Sequence, residues 1–226
     1  VVGVPDREET KYNIKDMLES LACRDTAQYI MDNEQLSKAE QIEGKDELLD
    51  WCIDKSPNNG LCLEFGVGFG GTLKKIAKRR PVHGFDSFKG LPEHWRSGLP
   101  KGTFSNAGMV ANTLAEREGV TLHRGLFGES IPVFEREYAD RLVAEGIAFV
   151  HVDSDLYSSA CTVLEFVGKY LKNRSVILFD EYFNWPGWSI PGRGEHSALM
   201  EWDVVGWQYV AYNIIGQDVA IRMIQK

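Results

Sequence analysis

The chain has 226 residues, of which 43% are hydrophobic and 26% charged, and a net charge of −8. This composition suits one sizeable α/β core with an added helical segment, and a global surplus of acid argues against a nucleic-acid partner held through its phosphates. No apolar run approaches the ~20 residues that cross a bilayer, and the N-terminus reads as lacking a charged-then-apolar leader, so no membrane partner is expected.

The four cysteines, Cys23, Cys52, Cys62 and Cys161, have neither metal-ligand spacing nor the density of a disulfide scaffold. Cys62 and Cys161 read as small buried hydrophobes, and a reduced, cytoplasmic setting is expected.

In chain order, residues 6–54 read as helical. Asp6 and Glu9 resemble a capping pair, and Ile14, Met17, Leu18 and Leu21 share one helical face that is expected to be buried. Ser37 and Glu40 form a second capping signature ahead of Ile42, Leu48, Leu49, Cys52 and Ile53, and SPNNG (56–60) ends that helix. Residues 1–56 are therefore an N-terminal helical extension that could pack on the sheet, cover a pocket or make a homo-oligomer contact. Residues 57–226 form the main domain.

LCLEFGVGFGG (61–71) follows, a short apolar strand that runs into a glycine turn at Gly66, Gly68, Gly70 and Gly71. Glycine lets the backbone turn sharply and lets a ligand approach the main chain. TLKKIAKRR (72–80) then puts Leu73, Ile76 and Ala77 on one helical face, with Lys74, Lys75, Lys78, Arg79 and Arg80 as a solvated basic face. PVHGFDSF (81–88) is a second strand carrying Asp86, 22 residues after Glu64, where a carboxylate can accept both hydroxyls of a ribose. Strand, glycine turn, helix and acidic strand end are shared by nicotinamide-dinucleotide oxidoreductases and by S-adenosylmethionine-dependent methyltransferases.

Residues 88–108, rich in Gly and Pro, read as a long loop of the kind that forms lids. Residues 111–119 read as a helix and 120–127 as a third strand, with Arg124, Gly125 and Phe127 near its end; Phe127 could pack on an adenine ring or belong to the core. Residues 146–159 contain a fourth strand, apolar on both faces, that closes in Asp153 and Asp155. The helix 158–171, with Val163, Leu164, Val167 and Leu171 inward, leads to a fifth strand at 175–183 that carries Asp180 and Glu181. Carboxylates at the ends of apolar runs call for a cation, a donor or a metal. Glu64, Asp86, Asp153 and Asp180 should thus line one edge of a parallel sheet, where ligands of such sheets bind.

Adjacent strand residues point to opposite faces, so Asp180 and Glu181 can share one ion only where the backbone has already turned; Glu181 could instead be a hydrogen-bond acceptor behind the ligands. His196, in GEHSALMEW (194–202), is a candidate base, and His151 a lesser one. Trp185 and Trp188 could wall an acceptor pocket or anchor their loop. Residues 207–216 and 217–225 form a terminal hairpin. The expected fold is an α/β, Rossmann-like, seven-stranded and mostly parallel sheet with an antiparallel C-terminal hairpin, helices on both faces and the N-terminal extension.

Four strings in order, LEFGVGFGG (63–71), GFDSFKGLPE (84–93), HVDSDLYSS (151–159) and FDEYFNWPGW (179–188), make residues 60–226 resemble the macrocin O-methyltransferase family. The resemblance implies an S-adenosylmethionine-dependent methyltransferase acting on a hydroxyl of a small-molecule acceptor, a sugar or another natural product. It implies a cofactor set of Glu64, Gly66, Val67, Gly68, Phe69, Gly70, Gly71, Thr72, Asp86, Ser87, Gly125, Phe127 and Asp153. It also implies a magnesium ion on Asp153, Asp180 and Glu181, with Asp155 as the base. Glu181 stands where relatives often carry a second Asp, and its longer side chain moves the carboxylate. The competing readings are a nicotinamide-dinucleotide oxidoreductase and a non-catalytic cofactor-binding subunit; in the latter Asp153 and Asp155 would have no use.

Overall fold

A computed structural model describes residues 13–106, 108–109 and 111–224. The capping pair read at Asp6 and Glu9 lies outside them. Helix α1 (Ile14–Asp32) starts at Asn13, whose side chain accepts the Lys15 N–H. Its apolar face is not buried as expected: Ile14 is 73% and Leu21 still 37% exposed, while Ala22 and Thr26 are the buried positions. Periodicity assigns residues to a common face but does not say what covers it. Only the C-terminal half of α1 meets the body, where Thr26 Oγ1 accepts the Asn184 N–H at 3.0 Å and the Tyr29 and Tyr209 hydroxyls lie 2.9 Å apart.

The second N-terminal helix is shorter than the sequence suggests. Leu36–Lys38 is a single 3-10 turn, and Glu40–Ile42 is an extended strand, β1, rather than the start of a helix. Gly44, at φ 113°, breaks the chain there, so α2 spans Lys45–Lys55 and the Ser37–Glu40 capping box does not form. Ser56 caps α2, as the SPNNG stretch indicates.

Strand β2 (Leu61–Phe65), α3 (Gly71–Ala77) and β3 (Val82–Asp86) form the expected unit. The described residues of 87–109 hold no helix or strand, and α4 (Ala111–Ala115) precedes β4 (Val120–Arg124). Phe127 is not a strand residue; it opens α5 (Phe127–Glu137), which is followed by α6 (Ala139–Ala144). Pro132 inside α5 obscures its helical pattern in the sequence. Strand β5 (Ile147–Val152), α7 (Tyr157–Val167), β6 (Leu171–Phe179), α8 (Gly194–Met200) and the hairpin β7 (Trp207–Asn213) and β8 (Val219–Met223) complete the chain. Leu171 thus opens β6 instead of closing α7, and Asp180 and Glu181 lie just past the strand.

The sheet has eight strands in the order β1-β7-β8-β6-β5-β2-β3-β4, one more than expected, because β1 pairs in parallel with β7. β6–β8 and β7–β8 are antiparallel and the remaining pairs parallel. Leu63, Phe65, Val150, Val152, Ile177 and Phe179 face a core closed by α5 to α8, whereas Cys62, Phe149, Val176 and Leu178 face α2 and α3. Two residues of the basic run are partnered with α2: Lys75 of α3 pairs with Asp46, and Arg79, just past α3, with Asp50 and Asp54. Among the described residues no helix is long and apolar enough to cross a membrane. Cys161 is half-buried rather than buried, and all four cysteines are free.

From β2 the chain proceeds outward through β3 and β4, and from β5 in the opposite direction through β6. The crevice between the carboxyl ends of β2 and β5 is therefore the topological switch point. Gly66 holds it open at φ 94°, and a Cβ there would come within 1.7 Å of the Asp153 carbonyl oxygen. Gly66→Ala should cost about 2 kcal/mol or more of stability. Gly71→Ala, where an added Cβ meets nothing within 4 Å, should stay within about 0.5 kcal/mol. Urea unfolding of the two variants checks both, and equal costs would refute the close approach.

Candidate functional site

The switch point opens into a cleft of about 500 Å³. Its walls are the glycine turn (Gly66, Gly68, Phe69), the end of β3 (Asp86, Ser87), the 125–128 junction, the acidic loops after β5 and β6, the start of α7, and Lys45. Leu91 and Phe104 of the long loop also line it. That loop is tethered: the Asn106 side chain donates to Gly68 O at 2.6 Å, and Ser158 donates to Glu93 at 2.6 Å. The Arg96 guanidinium lies 4.0 Å over the Trp95 ring and 5.2 Å from that of Trp185.

Most of the sequence-derived residues meet here. Gly66, Gly68, Phe69, Asp86, Ser87, Gly125, Phe127, Asp153, Asp155, Asp180 and Glu181 line the cleft. Val67 is buried on the α3 side, and Gly70, Gly71 and Thr72 lead into α3 without reaching the wall. Asp86 differs from a free ribose acceptor: its Oδ2 accepts the Val67 and Gly68 N–H groups at 2.9 and 2.8 Å, and its Oδ1 accepts that of Phe88 at 2.6 Å. A carboxylate offers roughly four acceptor positions, so this one clamps the glycine turn and keeps about one for a ligand. Phe127 lines the cleft while its ring packs edge-on against Phe65 at 5.4 Å.

Glu64 does not line the cleft. It is 1% exposed, and its Oε1 lies 3.0 Å from His151 Nδ1, while His151 Nε2 lies 3.3 Å from Asp180 Oδ1. Strand register explains the contact: Glu64 is paired with His151 and His151 with Leu178, all on the α2 face, and Asp180 lies two residues further on. Carboxylates only accept hydrogen bonds, so serving both with one ring calls for the doubly protonated imidazolium. Burial opposes that charge, but Asp180 and Glu64 raise His151 to about 10. Lys45 Nζ completes the row, 2.5 Å from Asp180 Oδ1 and 2.6 Å from Oδ2. Against burial, His151 and Lys45 hold Asp180 down at about 2.

The other acids are differently placed. Asp153, Asp155 and Glu181 bring ligand atoms within 4.8 Å of one another, whereas Asp180 groups with His151 and Asp153. The set implied by the resemblance, Asp153, Asp180 and Glu181, is therefore split, because Asp180 is occupied by Lys45 and His151. The trio Asp153, Asp155 and Glu181 does fit a hard cation: its donors are all oxygen, and Glu181 Oε2 is buried with no partner among the described residues. Burial, then the neighbouring carboxylates, raises Asp153 and Glu181 well above the usual range. Burial and Asp180 push Asp155 up to about 7, partly offset by Arg96. Asp155 adopts φ 59°, turning the loop so that Asp153 and Asp155 both reach the cleft.

No protein-family model matches the chain, and no curated protein matches it. Among solved structures, the calicheamicin methyltransferase CalS11 is 21% identical over 97% of this chain and 94% of its own, with a TM-score of 0.64. The O-methyltransferase NovP is 19% identical over 80% of each chain, with a TM-score of 0.54. TomG of Streptomyces achromogenes, an O-methyltransferase involved in tomaymycin synthesis and solved with S-adenosylmethionine, is 14% identical over 94% of this chain and 99% of its own, with a TM-score of 0.50. The chain has the fold of S-adenosylmethionine-dependent O-methyltransferases. Likeness at these identities carries the fold and not the reaction.

Within this methyltransferase fold, His196 is not at the cleft. Its ring lies among those of Trp188, Tyr182 and Tyr29 at 4.8, 5.1 and 5.2 Å, and burial lowers it to about 4. The candidate base at 196 is corrected to a packed aromatic. Trp185 and Trp188, each 2% exposed, anchor their loop instead of walling a pocket, and Trp185 Nε1 donates to Glu181 O at 2.9 Å. The sequence reading missed Lys45 and Glu195. Glu195 is fully buried; its Oε1 accepts the Ser154 N–H at 3.0 Å and its Oε2 that of Glu181 at 3.2 Å, tying the two acidic loops together. Burial, against the Ser154 bond, raises it to about 8. An acid directly before the singled-out histidine was the only signal for Glu195, and nothing pointed to Lys45.

His151 links stability to pH. Its folded value of about 10 exceeds the ordinary 6.5, so its contribution is complete below about 6.5 and is lost as pH rises through 10. The melting temperature should fall between pH 7 and 10. His151→Gln should remove that limb and cost about 3–5 kcal/mol by leaving buried Glu64 unpaired. Calorimetry across that range tests both, and a flat wild-type profile would contradict the imidazolium.

Proposed function

We propose that the protein transfers a methyl group from S-adenosylmethionine to a hydroxyl of a small-molecule acceptor, a sugar or another natural product. The observation that carries this reading is Asp155, a cleft carboxylate raised to about 7, facing the space beside the glycine turn. A base poised near neutrality suits removal of a hydroxyl proton as the new bond forms. The fold supports a methyl donor, and the names of the similar structures, including a TDP-rhamnose 3'-O-methyltransferase, support a hydroxyl acceptor.

The methionyl part of the donor lies along Gly66 and Gly68, whose backbone a ligand can approach closely. The remaining acceptor position of Asp86, with the Ser87 hydroxyl, takes the ribose, and the adenine lies against Leu126 and Phe127. This directs the sulfonium methyl towards the acidic loops. The acceptor oxygen attacks the methyl carbon in line, the carbon–sulfur bond breaks, and Asp155 takes the hydroxyl proton. Much of the rate comes from holding the two reactants in that line. When bound by Asp153, Asp155 and Glu181, a hard divalent cation would supply polarisation of the acceptor hydroxyl. Glu195 keeps both loops in place through Ser154 and Glu181.

Calorimetric titration with S-adenosylhomocysteine should show binding; clear binding of a nicotinamide dinucleotide in its place would overturn the reading. With an acceptor found among glycosides and phenols, Asp155→Asn should lower kcat by about 10²–10⁴ while the thioether product still binds. Because Asp155 must be ionised to accept a proton, kcat/KM measured with chelator present should rise with pH through about 7 in the wild type. That limb should be missing in the variant.

A further inference from the structure

Lys45 comes from the N-terminal helix α2, yet it lines the cleft with its ammonium on Asp180. The path is short and well defined. Strand β1 pairs with β7 as far as Ile42 opposite Asn213, and the Ile214 N–H donates to Ile42 O at 3.0 Å. The Gly44 N–H then donates to Asn213 Oδ1 at 3.3 Å, and the positive φ of Gly44 turns the chain straight into α2. Lys45, the first residue of that helix, is thereby aimed over the carboxyl edge of the sheet at Asp180.

Both oxygens of Asp180 face the ammonium, at 2.5 and 2.6 Å, and Oδ1 also faces His151 at 3.3 Å. Asp180, 7% exposed, reaches the cleft wall with both of its oxygens already engaged by the Lys45 ammonium. A divalent ion would need an oxygen at ~2.0–2.1 Å and would have to sit beside a fixed positive charge. No ion pair or hydrogen bond ties a lysine to Asp153, Asp155 or Glu181 among the described residues, and Glu181 Oε2 is buried there without a partner.

We propose that Lys45 is a positioning residue that serves as the built-in counter-cation of Asp180. It keeps that carboxylate out of a divalent-cation centre confined to Asp153, Asp155 and Glu181. The inference rests on the methyltransferase reading for its purpose but not for its test, which reads ion binding without methyl transfer.

Free Mn2+ is measured by electron paramagnetic resonance during titration of the full chain and its variants with Mn2+ alone. Lys45→Met should bind Mn2+ about tenfold more tightly than the wild type, because Asp180 becomes available, and adding Asp180→Asn to it should abolish the gain. In the otherwise wild-type chain, Asp153→Asn should weaken binding about tenfold and Asp180→Asn by no more than about twofold. A merely structural lysine would not yield tighter binding when removed. Circular dichroism melting checks that each variant folds, and Lys45→Gln takes the place of Lys45→Met if the latter does not. Unchanged or weaker binding in the lysine variant overturns the proposal, as does an Asp180→Asn loss matching that of Asp153→Asn. Absence of Mn2+ binding from every variant also overturns it. S-adenosylhomocysteine binding by the same samples reports separately on the methyltransferase reading.

Discussion

Four alternating charges run under the cleft: Glu64, His151, Asp180 and Lys45. Two of them sit on neighbouring parallel strands, one just past a third strand, and one on a helix that reaches in from the N-terminal segment. Glu64, His151 and Asp180 are tolerable as charges only because their neighbours are present, since an unpaired ion in so dry a place would cost several kcal/mol. Removal of any member leaves an uncompensated charge beneath the glycine turn.

The row also divides the acids by role. Asp180 belongs to the scaffold, neutralised from both sides, whereas Asp153, Asp155 and Glu181 face the cleft and repel one another. Repulsion and burial raise their affinity for protons, which makes them ready to accept a proton or a hard cation. Glu195 counters the tendency of such loops to spread apart by accepting one backbone N–H from each. On the opposite wall Asp86 stiffens the glycine turn in the same way, with a carboxylate accepting main-chain N–H groups. The cleft is thus held by acids bonded to backbone, and Asp153 and Asp155 are left facing its open space.

Much of this was legible in the residues. The strand at 61–65, the glycine turn, Asp86, the two-sided burial of the strand before Asp153, and the terminal hairpin all follow from local pattern: period, glycine and acidic strand ends. What local pattern does not carry is the partner of each face. The apolar stripe of α1 has the right period and nevertheless faces outward. Glu40–Ile42 looks like a helix entry because its extended form depends on β7, about 170 residues further on. His196 carries the right chemistry for a base and is packed among three aromatic rings.

The sequence by itself therefore determined the parallel α/β core, the crevice at the ends of its central strands and the acids that gather there, because each depends on residues close together in the chain. Only the tertiary structure decided which acids are free and which are neutralised. Lys45 and Asp180 are separated by 135 residues, and nothing in either stretch names the other. Their contact exists because a three-residue strand adds to the far edge of the sheet and a glycine turns the following helix inward, and both are consequences of packing that no local pattern encodes.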